Sequence, residues 1–324
     1  MLKFRFSYIV VAIILAVLLY GIYSDLSDNV PQYLFWKIDM VSIEDFTKIT
    51  IINPQNIWLS GASGSIYKSE DSCESWSRLR QPDGTALHDM YFLNEDTGWI
   101  TGENGILLST TDCGKTWSDT TVGDAENIFI AVWFLDENNG FIAGGLNDQK
   151  AAGILYSTTD GGRRWNKCDI SIPLIFSMVF LDTAAGICST PGGLLRTEDG
   201  GKSWLLEPPV THLPLQYLFF INHESGWAAG RETGVYTTSD GGKTWKVSKG
   251  TMGYKINDIF FIDSQNGWAV GNNGVFLYTL NGGKSWERLE TGVADDFLSV
   301  YFFNTDFGLI CGRNGIVIEV ETLQ

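Results

Sequence analysis

The chain repeats one short phrase, best preserved as Asp240-Gly241-Gly242-Lys243-Thr244-Trp245. Variants recur at 71–76, 112–117, 160–165, 199–204 and 281–286, and their tryptophans Trp76, Trp117, Trp165, Trp204, Trp245 and Trp286 stand 39 to 48 residues apart. A fixed period near 40 residues is the mark of a repeat architecture, which constrains the fold more than any single motif. A second grid runs through the same units. An apolar position recurs as Ile51, Phe92, Phe134, Phe180, Phe220, Phe261 and Phe302, and six residues later comes Gly98, Gly140, Gly186, Gly226, Gly267 or Gly308. Ile57 stands in for the first glycine, so the units number seven.

Each unit holds four short runs bounded by Gly, Asn and Asp, a strand-and-turn signature. The runs are apolar on successive residues, as in Phe260-Phe261-Ile262, which suits strands covered on both faces. Four-stranded units of this length around an axis predict an all-β, seven-bladed β-propeller over 33–324. The seventh unit stops after 315–320, with no phrase and no fourth strand. Near the start, Tyr33-Leu34-Phe35-Trp36-Lys37-Ile38 forms a lone strand, and Trp36 lies 40 residues before Trp76. The N-terminal strand is therefore expected to complete the last blade and close the ring.

Ahead of the ring, Lys3 and Arg5 precede an uncharged run at 7–23, and Asp25 and Asp28 follow. This order places the N-terminus in the cytoplasm and the bulk of the chain outside. Residues 1–23 read as a signal-anchor, with a cleaved signal peptide as the alternative, and 24–32 as a linker. The expected location is outside the cytoplasm, membrane-anchored or, on the alternative, secreted.

Inside the phrase, Asp71, Asp112, Asp160, Asp199, Asp240 and Asn281 are turn formers whose side chains bond their own backbone. Ser69, Thr110, Thr158, Thr197, Thr238 and Thr279 stand two residues earlier. One carboxylate per site falls short of the six to eight oxygens that calcium takes, so the role is structural and no metal or cofactor is expected. The five cysteines, Cys73, Cys113, Cys168, Cys188 and Cys311, are irregularly spaced and make no disulfide framework. A net charge of −16 opposes nucleic-acid binding.

The phrase resembles the Asp-box, or bacterial neuraminidase repeat, and the longer unit is similar to the photosystem II stability and assembly factor repeat. The resemblance spans 33 to 324. It implies a seven-bladed, non-enzymatic propeller that binds partner membrane proteins during assembly. The same repeats occur in sialidases and xyloglucan-degrading hydrolases, so glycan binding or hydrolysis is the alternative. The chain differs in being strongly acidic, with no evident basic patch.

Ligand sites are expected among the connections between blades and the loops between second and third strands, opposite the phrases. There lie Asp89, Glu126, Arg231, Glu232, Asn273 and Arg313, together with His88, Asp124, His212, Asn272, Asp295, Asp296 and Asn314. Loop 146–152 is the longest insertion on this face. Two carboxylates flanking a bond would serve a glycosidase, yet no catalytic pair can be singled out. Histidines are too dispersed for a metal site or a Ser-His-Asp triad.

Overall fold

The computed structural model describes residues 32–38, 42–146, 152–208, 215–230 and 234–323. The apolar run at 7–23, Arg231, Glu232, His212 and the tip of loop 146–152 lie outside the described residues. Among those described, no helix is long and apolar enough to cross a membrane.

Seven antiparallel four-stranded sheets follow one another. Blades one to six occupy 46–80, 87–121, 127–167, 177–206, 217–247 and 256–289. Each runs outward from an innermost first strand. Blade seven takes three strands from 297–323 and its fourth from Gln32–Ile38, which pairs antiparallel with Val317–Leu323 through all seven residues. Tyr33 and Phe35 of that strand pack on Phe276 of blade six, with ring centroids 5.7 and 5.2 Å away. The Trp268 indole N–H donates to the Tyr33 hydroxyl at 3.1 Å. The expected closure is present. Trp36 pairs through its backbone with Glu319, but its side chain lies outside the described ones.

Second strands are buried along their whole length in most blades, as in Gly98–Gly102, Gly226–Gly230 and Gly267–Gly271. Neighbouring blades cover both of their faces. Trp99, Trp227 and Trp268 of these strands stack flat on Phe134, Phe261 and Phe302 of the following blade, at 3.4, 3.5 and 3.6 Å between centroids. The phrase tryptophans Trp165 and Trp286 meet Phe134 and Phe261 edge-on at 6.0 and 5.5 Å. Such contacts add about 1 kcal/mol each beyond area burial, so the recurring phenylalanine is the point where two blades interlock.

The innermost strands surround the axis in layers. Several of them, including Leu87–Phe92 and Ile256–Phe261, carry a bulge near their start. Beyond it the seven strands place Lys48, Asp89, Ala131, Ser177, Tyr217, Asp258 and Ser299 at one level. A half-buried aromatic layer comes next, in which Tyr91 meets Trp133 at 5.2 Å, Phe219 meets Phe260 at 5.4 Å and Phe260 meets Tyr301 at 4.5 Å. Two residues further on, where the strands turn, stand Ile52, Leu93, Leu135, Leu181, Ile221, Ile262 and Phe303.

Candidate functional site

The phrases are self-contained turns. Thr238 Oγ1 donates to Asp240 Oδ1 at 2.8 Å and accepts the Gly242 N–H at 2.8 Å. Asp240 Oδ1 also accepts the Thr244 N–H at 2.9 Å, and Oδ2 accepts the Thr244 hydroxyl at 2.5 Å. The same pattern holds around Asp71, Asp112 and Asp199; around Asp160 the Arg164 N–H keeps its place on Oδ1, and an arginine there offers no hydroxyl to Oδ2. Asn281 keeps the frame, with its amide donating to Ser285 Oγ at 2.8 Å. Hydroxyl bonds, then backbone N–H bonds, hold the Asp112, Asp199 and Asp240 carboxyls down at about 2.

Each turn is also tied to its own blade's inner turn, as where Gly241 N–H donates to Glu224 O and Gly282 N–H to Gln265 O, both at 2.9 Å. The indoles of Trp165, Trp204 and Trp245 donate to the carbonyls of Gly162, Gly201 and Gly242 at 3.0, 3.1 and 3.0 Å. A buried indole N–H wants a partner, and these three have one. Those of Trp76, Trp117 and Trp286 find none among the described residues; in blade six the Trp227 indole of the preceding blade donates to the adjacent Gly282 carbonyl at 3.0 Å.

Asp89 does not lie on a loop. It sits within the innermost strand of blade two, 23 % exposed, 4.0 Å from Lys48 Nζ. Its Oδ2 accepts the Val132 N–H of blade three at 3.0 Å. Asp258 of blade six, 14 % exposed, lies 3.7 Å from the same ammonium and binds Ser299 Oγ and Val300 N–H of blade seven at 2.7 and 3.1 Å. Burial raises the Asp89 carboxyl despite Lys48. Burial also works against the Lys48 ammonium, but Asp258 and Asp89 outweigh it and hold it above the ordinary lysine value. The network ties blade one to blades two and six across the axis. Sequence reasoning missed Lys48 and Asp258; the available signal was a charge inside two strongly apolar strands, at the register that Asp89 occupies.

The connection-face candidates are largely engaged with one another. Asn273 N–H donates to Asp296 Oδ1 at 2.9 Å, Arg313 pairs with Asp296 at 3.2 Å, and Asn314 Nδ2 donates to Asp295 Oδ1 at 2.7 Å. Asn273 and Asn314 have φ of 57° and 56°, the left-handed conformation that Asn before Gly favours in tight turns. Their immediate role is to shape the turns of blades six and seven. Glu126 is exposed. His88 is half-buried, and burial holds its imidazole below the usual value. A shallow cavity of about 520 Å³ opens beside blade three, between Leu146, Ile154, Cys168, Ile170 and Ile172. All five cysteines are free thiols. Among the described residues no cluster of three His, Cys, Asp or Glu side chains could hold a metal.

The structure is similar to "YCF48 bound to D1 peptide", with a TM-score of 0.72 and 20% identity over 89% of this chain and 97% of that one. YCF48 from Cyanidioschyzon merolae aligns equally well, at 0.72 and 20% over 89% and 98%. Virginiamycin B lyase from Staphylococcus aureus shares the architecture at a TM-score of 0.74, with 10% identity over 90% and 100%. At these identities the likeness is one of fold. No curated protein matches the sequence. The description "Photosynthesis system II assembly factor YCF48" matches over 22–109, 76–212, 205–291 and 247–321, which together take in every blade, and the chain belongs to that family.

Proposed function

We propose that this protein is an exported, membrane-tethered propeller that binds a protein partner during assembly and carries out no catalysis itself. The observation that carries this reading is the family match through all seven blades of a closed ring. A family member has been captured with a peptide, as "YCF48 bound to D1 peptide", and the proposal extends peptide binding to this chain. The tether is drawn from Lys3 and Arg5, the apolar run at 7–23, and Asp25 and Asp28 after it. The axial carboxylates Asp89 and Asp258 are bridged by a lysine and occupied by neighbouring amides, which suits a frame better than a hydrolytic pair.

Crosslinking of the full chain in its own membranes, followed by pull-down, tests the reading. A discrete protein partner recovered from the membrane fraction is the expected outcome. Release of reducing ends from a polysaccharide panel by the purified protein would overturn it in favour of a glycan-active propeller.

A further inference from the structure

We propose that the inner-turn face of the ring, on the side of the phrases, is a docking surface for a partner segment that presents an apolar side chain flanked by lysine or arginine. The proposal rests on the protein-binding role above and names the chemistry of the partner. Its first support is the set of seven strand-end positions that finishes with Phe303. All seven are apolar, and none is fully buried. Phe303 is 39 % exposed. Ile52, Leu93, Leu135, Leu181, Ile221 and Ile262 each pack against a blade core yet stay partly exposed, whereas Phe303 belongs to none of these cores. Together they leave an apolar rim in contact with solvent where the innermost strands end. The aromatic layer lies directly beneath, so the apolar ring has an apolar base.

Charge decides which partner fits. The seven inner turns that encircle this ring carry eight carboxylates and no lysine or arginine. The one histidine, His223, already faces Asp182 at 3.1 Å. Asp96, Glu137 and Glu224 are exposed. The phrases further out on this face carry six cations, Lys115, Arg163, Arg164, Lys202, Lys243 and Lys284, against six carboxylates, so the acidic excess belongs to the inner turns. An acidic segment seated within those turns would meet repulsion, and a neutral apolar one would leave their carboxylates unmatched; flanking cations answer both. The chain also enters the ring on this face, since Gln32 pairs with Leu323 and Thr322 N–H donates to Asp306 O. Residues 24–31 can span at most ~28 Å, so an anchor at 7–23 would keep this face near the membrane, where a membrane-borne partner is met.

The test uses the purified full chain and three fluorescent synthetic peptides read by anisotropy. One has a Phe-Leu-Phe core flanked by lysine pairs, one the same core flanked by glutamate pairs, and one a serine core flanked by lysine pairs. Binding of the first alone is expected, weakening with added salt. Phe303→Ser with Ile262→Ser, and separately Glu137→Gln with Glu224→Gln, should each weaken it about tenfold or more, the scale of losing contact residues of this kind. Glu103→Gln with Glu290→Gln, on the opposite face, should leave it unchanged. Melting curves confirm that each variant is folded. Binding of the glutamate-flanked peptide, binding of none, or indifference to both variant pairs would overturn the surface. Pull-down of the same membrane partner by wild type and by the Phe303→Ser/Ile262→Ser protein would also overturn it, while leaving the scaffold role standing.

Discussion

Gly98, Gly140, Gly186, Gly226, Gly267 and Gly308 each lie under a phenylalanine ring of the adjacent strand. A Cβ at Gly226 or Gly267 would come within 2.3 or 2.4 Å of Phe220 or Phe261. The missing side chain lets the ring lie flat across the sheet, where the preceding blade can pack on it. Overpacking of this kind costs about 1–3 kcal/mol, so Gly226→Ala and Gly267→Ala should each lower the urea midpoint by a corresponding amount with an unchanged slope. Two phrases show the opposite opportunity. Ser72, Cys73 and Cys113 hold φ of 58°, 74° and 64° where the better copies have glycine, a conformation that costs a side-chain-bearing residue about 1–2 kcal/mol. Cys73 also fills space in the blade core, whereas Cys113 does not appear in one. Cys113→Gly should therefore raise the midpoint, by the equivalent of about 1 kcal/mol in stability, net of a weak thiol contact to the Glu95 carbonyl at 3.0 Å. No gain in stability would mean that the left-handed turn is not strained.

At the scale of the element, the phrase links turn chemistry to acid tolerance. The carboxyls of Asp112, Asp199 and Asp240 are held at about 2, below their ordinary value near 4, because hydroxyls and amides bind the ionised form. A carboxyl depressed by folding stabilises fully above its unfolded value and loses that contribution as pH falls through the folded one. The loss should therefore fall between about pH 4 and pH 2. Asn281 shows that an amide can hold the same frame, so Asp240→Asn should change the urea midpoint little at pH 7 and flatten its decline between pH 4 and pH 2. A decline as steep as wild type would separate the phrase from acid unfolding. This element was legible beforehand because its residue types act locally: hydroxyl, carboxyl and glycine dictate a turn wherever they fall in this order. The placement of Asp89 was not legible. A bulge at Leu87/Asp89 shifts the phase of the first strand, and period-2 alternation cannot carry through a bulge. The partners Lys48 and Asp258 lie in other blades, so their meeting depends on how the ring closes.

Closure is the property of the whole molecule, and two devices serve it. At the axis, Lys48 spans to Asp89 and Asp258, so blades one, two and six share one charge network. Its ammonium is held above the ordinary lysine value, hence this contribution is present through neutral pH and is lost only as pH rises through that elevated value. Lys48→Met leaves two carboxylates partly buried without their cation, and a loss of about 3 kcal/mol is expected, measured by the urea midpoint at pH 7. Reversal by adding Asp89→Asn and Asp258→Asn would confirm that unpaired charge is the cause. At the rim, the first strand of the chain is the last strand of the ring. Removing 32–38 would strip seven pairs from Val317–Leu323 and uncover Phe276 and Trp268 of blade six, on which Tyr33 and Phe35 rest. It would also leave an open, apolar-sided edge, the kind that pairs with other chains. The expected outcome is a melting temperature lowered well beyond the effect of either single-glycine variant, together with concentration-dependent association in light scattering. Trimming 24–31 makes the control, because it shortens the same end and removes no residue of the strand Gln32–Ile38. If the two deletions melt alike, the ring is held by its blade interfaces alone and the seventh blade needs no fourth strand.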